Sequence, residues 1–372
     1  MIDFSVLAVP GVRALRPYEP GKPVAVLERE LGIREAVKLA SNENPLGPSP
    51  RAVTAIEATL GNLHIYPDGN GFVLKEMLAG RHGIDPKQVT LGNGSNEILE
   101  LVARTWLAPG SNAVFSQHAF AVYPLVVQAV SAEGRVAKAL PVDAAQPFGH
   151  DLDAILAKVD TNTRVVFIAN PNNPTGTWLT AGALERFLTE IPAETLVVVD
   201  EAYAEYVENP DYPDATQWLS RFPNLLVTRT FSKIHGLAGL RLGYSVSSAG
   251  IAELLNRVRQ PFNVNSLAQV AGLAALDDRG HVEASVRANR IGLAQVASGL
   301  TARGLSFIPS VGNFITFDVR QPSGPVYTEL LHQGVIVRPV ANYGLPTYLR
   351  VTIGTESENE RFLNALDIVL AS

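Results

Sequence analysis

Thr228-Arg229-Thr230-Phe231-Ser232-Lys233-Ile234-His235-Gly236-Leu237-Ala238-Gly239-Leu240-Arg241 follows directly on the apolar run 225–227. Lys22, Lys38, Lys75, Lys87, Lys138 and Lys158 stand in polar or helical-surface contexts, whereas Lys233 is embedded among Phe231, Ile234 and Leu237. A desolvated lysine holds its proton less tightly and becomes a nucleophilic amine. Thr230, Ser232 and Arg241 add two hydroxyls and a guanidinium, a set that suits one phosphate. The bland alternative is a solvated loop lysine. His235 reads as a loop or packing histidine.

Working outward, short apolar runs alternate with helical periodicity from about residue 50 to 265. The predicted strands are 89–91, 113–116, 136–140, 164–169, 195–199, 225–228 and 241–246, with helices between them at 96–106, 152–159 and 181–191. Such alternation predicts an α/β large domain, a mostly parallel sheet covered by helices on both faces. Two helical stretches at 250–277 and a long one at 281–303 precede strands at 314–319, 335–337 and 349–353 and a closing helix at 357–370. That tail predicts a smaller α+β domain over 266–372, with 51–265 as the large domain. Residues 1–50, rich in Pro and Gly apart from a short helix at 24–31, predict an N-terminal arm that completes part of the small domain.

In open α/β sheets ligands sit at the carboxyl ends of the strands, so the residues after each strand carry the chemistry. Gly92-Asn93-Gly94-Ser95-Asn96-Glu97 joins a strand to an amphipathic helix. Unpaired N–H groups at such a helix start can hold a phosphate; a tight turn capped by Ser95 or Asn96 explains the same residues. Ala169-Asn170-Pro171-Asn172-Asn173-Pro174-Thr175-Gly176 is a rigid turn that either simply closes a loop or presents an Asn amide to a phenolate oxygen. Leu196-Val197-Val198-Val199-Asp200-Glu201-Ala202-Tyr203 puts a carboxylate at the end of an apolar strand, where it caps a turn or meets a cation. A pyridinium nitrogen would be such a cation, with Tyr203 able to reach the same ring.

Composition removes other classes. The formal net charge of −6 argues against nucleic acid as a partner. There is no cysteine, hence no disulfide, thiolate metal site or cysteine nucleophile, and the seven histidines lack metal-ligand spacing. No apolar run approaches the roughly 20 residues of a membrane helix, and residues 1–10 lack signal-peptide character, so the expected location is cytoplasmic. The dinucleotide fingerprint after the first strand is missing, which excludes a nicotinamide dehydrogenase. The first 50 residues are too short and Pro-rich for a helix-turn-helix regulator.

Asn-Pro-Thr-Gly, Asp-Glu-Ala-Tyr and Ser-Lys…Gly-Leu-Arg, in this order over nearly the whole chain, resemble the fold-type I pyridoxal-phosphate aminotransferases of the aspartate aminotransferase superfamily. Leu15-Arg16-Pro17-Tyr18, Leu39-Ala40-Ser41-Asn42-Glu43-Asn44-Pro45, Tyr66-Pro67-Asp68-Gly69, Val335-Ile336-Val337-Arg338-Pro339 and Leu349-Arg350-Val351-Thr352-Ile353-Gly354 look closer still to the histidinol-phosphate aminotransferases. The resemblance implies pyridoxal 5'-phosphate on Lys233 as a Schiff base, Asp200 on the ring nitrogen, and Asn173 and Tyr203 on the ring oxygen. It implies Gly94, Ser95, Asn96, Thr230, Ser232 and Arg241 around the phosphate, with no metal. It also implies a homodimer in which Tyr66 reaches the partner's cofactor, with Tyr18, Asn42, Arg338 and Arg350 on the substrates, an amino donor and 2-oxoglutarate. The implied reaction is amino transfer from histidinol phosphate. An aromatic or broad-range aminotransferase, or a decarboxylase or C–S lyase of the same fold, would share the cofactor residues. In one respect the chain departs: Phe120 stands where many relatives stack a Tyr on the ring, so that hydroxyl is absent.

Overall fold

A computed structural model describes residues 2–371. Its strands are β1 (Val37–Lys38), β2 (Val89–Asn93), β3 (Asn112–Ser116), β4 (Glu133–Ala137), β5 (Thr163–Ala169), β6 (Leu196–Asp200), β7 (Leu225–Thr230) and β8 (Leu242–Ser247), followed by β9 (Phe307–Ile308), β10 (Phe314–Asp318), β11 (Val335–Ile336), β12 (Arg338–Pro339) and β13 (Tyr348–Thr352). Seven of them form one sheet in the order β2-β8-β7-β6-β5-β3-β4. β8 is antiparallel to β2 and β7, and the remaining pairs are parallel, which is the expected architecture.

The central strands are buried on both faces because successive side chains alternate between two apolar layers. Val166, Ile168, Val197 and Val199 join one core, with Leu184 and Phe187 of the helix Ala181–Glu190. Val165, Phe167, Leu196 and Val198 join the other, where Ile98, Leu101 and Val102 of the helix Ser95–Trp106 pack. β4 is one of the two edge strands, and it lies three residues earlier than predicted. Pairing with β3 alone lets it carry the polar Glu133 and Arg135, so its apolar content does not mark its ends.

A second, antiparallel sheet has the order β12-β13-β10-β9, and β1 pairs with β11 beside it. The closing helix Glu356–Ala371 and the long helix Arg279–Ala302 bury Phe362, Leu366, Val296 and Leu300 in its core. The helix Ser323–His332, whose Gly324-Pro325 start masks its periodicity, adds Val326 and Leu330 and was not anticipated.

One helix beyond the boundary expected at residue 265 packs with the large domain. Ser266–Asp277 puts Ala268, Ala271 and Ala275 into the core beneath the seven-stranded sheet. Its small residues permit close approach to the helix Pro50–Thr59, a contact that local periodicity does not reveal.

Among the described residues no helix is long and apolar enough to cross a membrane.

Candidate active site

The carboxyl ends of β2, β5, β6 and β7 meet along one edge of the large sheet, and the reversal of β8 adds the residue that precedes it, Arg241. Between this edge and the small domain lies a cavity of about 370 Å³, a volume suited to a small-molecule cofactor and its substrate. It is bordered by Ser95, Asn96, Phe120, Asn173, Asp200, Tyr203, Thr230, Ser232, Lys233 and Arg241 from the large domain. Tyr18, Asn42, Arg338 and Arg350 close the opposite side. Of the anticipated residues only Gly94 and Tyr66 are not on its wall.

One end of the cavity is built for an anion. Gly94, at φ +79°, starts the helix Ser95–Trp106 without a side-chain cap. A Cβ on Gly94 would lie 2.5 Å from a terminal nitrogen of Arg241 and would displace that guanidinium, while the positive φ itself favours glycine. A Cβ on Gly243 would lie 2.3 Å from the Ser95 nitrogen, which explains how β8 and the helix start come so close. Thr230 accepts from the Ser232 N–H at 3.1 Å, fixing the turn that carries Lys233. The helix start, two hydroxyls and a guanidinium thus converge on one space.

At the other end lies Asp200. It is buried, and burial pushes its carboxyl above the usual range against the pull of donors from Tyr123 and Thr228. Glu201, the next residue, points to the opposite face and is locked to Arg229 at 2.9 and 2.7 Å. The strand alternation therefore delivers one carboxylate to the cavity and removes the other.

Between the two ends is Lys233. Its Nζ donates to the Ser41 carbonyl at 2.9 Å and lies 5.8 Å from the Tyr203 ring centroid. Burial first, and then the charge of Arg350, lower its amine to about 7. Tyr203 takes a hydrogen bond from Asn42 Nδ2 at 2.9 Å, and burial pushes its hydroxyl up to about 12, so it remains a donor. Asn42, anticipated at the substrate, thus already has its amide nitrogen engaged by Tyr203, while its backbone N–H donates to Thr352 Oγ1 at 2.9 Å.

Arg350 comes from β13 of the small domain. Its guanidinium donates to the Asn173 side-chain oxygen and, at 2.6 Å, to the Ala40 carbonyl. It is only 6% exposed, and among the described residues no carboxylate pairs with it. A buried cation without an anion is costly unless a ligand supplies the charge. With its oxygen taken, Asn173 offers a ligand its amide N–H groups. Arg338 lies 5.5 Å from the Tyr18 ring centroid and donates to the Glu19 carbonyl at 2.7 Å.

Tyr66 is 79% exposed and stacks on Phe262 with centroids 4.7 Å apart, outside the cavity of its own chain. His235 is buried against Phe231 at 4.9 Å, as a packing histidine. Sequence reasoning missed Tyr123, whose hydroxyl reaches Asp200 at 2.9 Å. Its place three residues after Phe120, at the start of the helix Val122–Ala129, was the available signal. No cluster of residues able to hold a metal occurs among the described residues.

Residues 34–366 match the family model described as aminotransferase class I and II. The chain belongs to this aminotransferase family. The aminotransferase is 63% identical over 373 residues to histidinol-phosphate aminotransferase 2 of Pseudomonas aeruginosa, covering all of both chains. It is 56% identical to histidinol-phosphate aminotransferase 2 of Methylococcus capsulatus, covering 99% of this chain and 100% of that one. The structure of histidinol-phosphate aminotransferase from Sinorhizobium meliloti in complex with pyridoxal-5'-phosphate superimposes with a TM-score of 0.89 at 27% identity, over 97% of each chain. An uncapped helix start facing Arg241, a buried carboxylate at the other end and a low-pKa lysine between them are the donor set that pyridoxal phosphate requires of an aminotransferase.

Proposed function

We propose that this aminotransferase moves the amino group of histidinol phosphate to 2-oxoglutarate, giving imidazole-acetol phosphate and glutamate, in the cytoplasm. Pyridoxal phosphate is the cofactor, and when bound it supplies the electron sink that lets an α-proton leave. Lys233 carries it. Ser95, Asn96, Thr230, Ser232 and Arg241 hold its phosphate, Asn173 and Tyr203 its ring oxygen, and Asp200 its ring nitrogen. An amine poised at about 7 is part neutral at physiological pH, so Lys233 can both take and return a proton.

The buried Arg350, lacking a carboxylate partner, is the observation that carries this reading. Its planar guanidinium accepts a carboxylate from one substrate and a phosphate from the other, with Arg338 on the same wall. The names of the relatives support the substrate. We further propose a homodimer, in which the exposed Tyr66 reaches the partner's site.

Amino transfer to 2-oxoglutarate, measured side by side from histidinol phosphate, phenylalanine, tyrosine and aspartate, tests the substrate. We expect kcat/KM for histidinol phosphate to exceed the others by about 100-fold, since none of the other donors brings a phosphate for Arg350 and Arg338 to hold. Equal use of phenylalanine or tyrosine would refute the assignment.

A further inference from the structure

Asp200 is held from behind the cavity. Its Oδ2 accepts from the Tyr123 hydroxyl at 2.9 Å and its Oδ1 from Thr228 Oγ1 at 3.3 Å. Tyr123 is fully buried and does not border the cavity, so it touches neither cofactor nor substrate. Its ring is clamped: it stacks on Phe167 of β5 at 4.9 Å and 10°, and meets Phe120 edge-on at 5.9 Å and 87°.

We propose that Tyr123 is a positioning residue for the reaction: its hydroxyl fixes the orientation of Asp200 and keeps that carboxylate charged for the cofactor's ring nitrogen. It thereby supplies, from three residues further along the chain, the hydroxyl that Phe120 lacks. This rests on the reading that pyridoxal phosphate occupies the cavity on Lys233.

A buried tyrosine hydroxyl needs an acceptor, and a packing residue would use any carbonyl within reach. This one selects the carboxylate at the strand end. Burial favours the neutral acid at Asp200, and the bond from Tyr123 is the first of the contacts that oppose it. The Tyr123 hydroxyl, whose own ionisation burial and Asp200 push well up, stays a donor throughout the working range. The two stacked rings leave the hydroxyl little freedom, so the carboxylate inherits a defined direction.

Tyr123→Phe keeps the ring packing and removes only the donor. A hydrogen bond to a charged group is worth roughly a tenfold change in equilibrium. In the holoenzyme we expect the pyridoxal-phosphate dissociation constant to rise about 10-fold and kcat to fall about 10-fold, with both KM values within about twofold. The induced circular dichroism of the bound cofactor should weaken as Asp200 loses its fixed direction. Introduced into Asp200→Asn, the same substitution should change the dissociation constant by less than about twofold, because the charge it serves is gone.

Unchanged cofactor affinity and kcat in Tyr123→Phe would overturn the proposal. So would an equal loss in both backgrounds, which would mark a packing role. A wild-type protein that takes up no cofactor would instead overturn the reading on which the proposal rests.

Discussion

Replacing Lys233 with Met should stabilise the cofactor-free protein, and by an amount that depends on pH. Burial and Arg350 lower the amine from 10.5 to about 7. Each unit corresponds to about 1.4 kcal/mol, so the protonated amine costs the folded state on the order of 5 kcal/mol. The folded state releases the proton near pH 7, while the unfolded chain keeps it to about pH 10.5. Between these values the unfolded state binds more protons, so stability rises with pH; below about 7 the penalty is present in full. At pH 10 only about 1 kcal/mol of it remains. Lys233 keeps some contact with solvent, and that reduces the measurable gain to about 3 kcal/mol at pH 6. Met fills a similar volume without a charge. Parallel urea titrations of the two cofactor-free proteins at pH 6 and pH 10, compared by midpoint and common slope, give the difference directly. A gain of equal size at both pH values, or none at pH 6, would refute the argument that burial lowers the amine's hold on its proton.

Arg350→Lys keeps the charge but loses the planar fork that spans Asn173 and Ala40; we expect KM for both substrates to rise at least about 10-fold, and unchanged values in steady-state kinetics would remove Arg350 from the substrate site. For the dimer, mixing inactive Lys233→Ala with inactive Tyr66→Ala under subunit exchange should restore activity toward about a quarter of wild type, since half the dimers are mixed and each carries one intact site. Demonstrated exchange without recovery would mean that Tyr66 serves its own subunit.

Much of this protein was legible locally. The unbroken apolar runs at 165–168 and 196–199 specify strands buried on both faces, and the helix Ser95–Trp106 is spelled out by Ile98, Leu101 and Val102. The residues after those strands are next to them in the chain, so the sequence by itself placed Gly94, Asn173, Asp200, Thr230, Ser232 and Lys233 at one sheet edge. What only the tertiary structure decided is how partners distant in sequence meet. Arg350 meets Asn173, 177 positions away, and Ala40, 310 positions away; Tyr123 meets Asp200 across 77. The reversal of β8, which brings Arg241 to Gly94, and the docking of the helix Ser266–Asp277 under the large sheet belong to the same category. Periodicity records which face of an element is apolar, but not which apolar face it meets. That choice follows from packing all the elements at once, and the cavity exists only after it has been made.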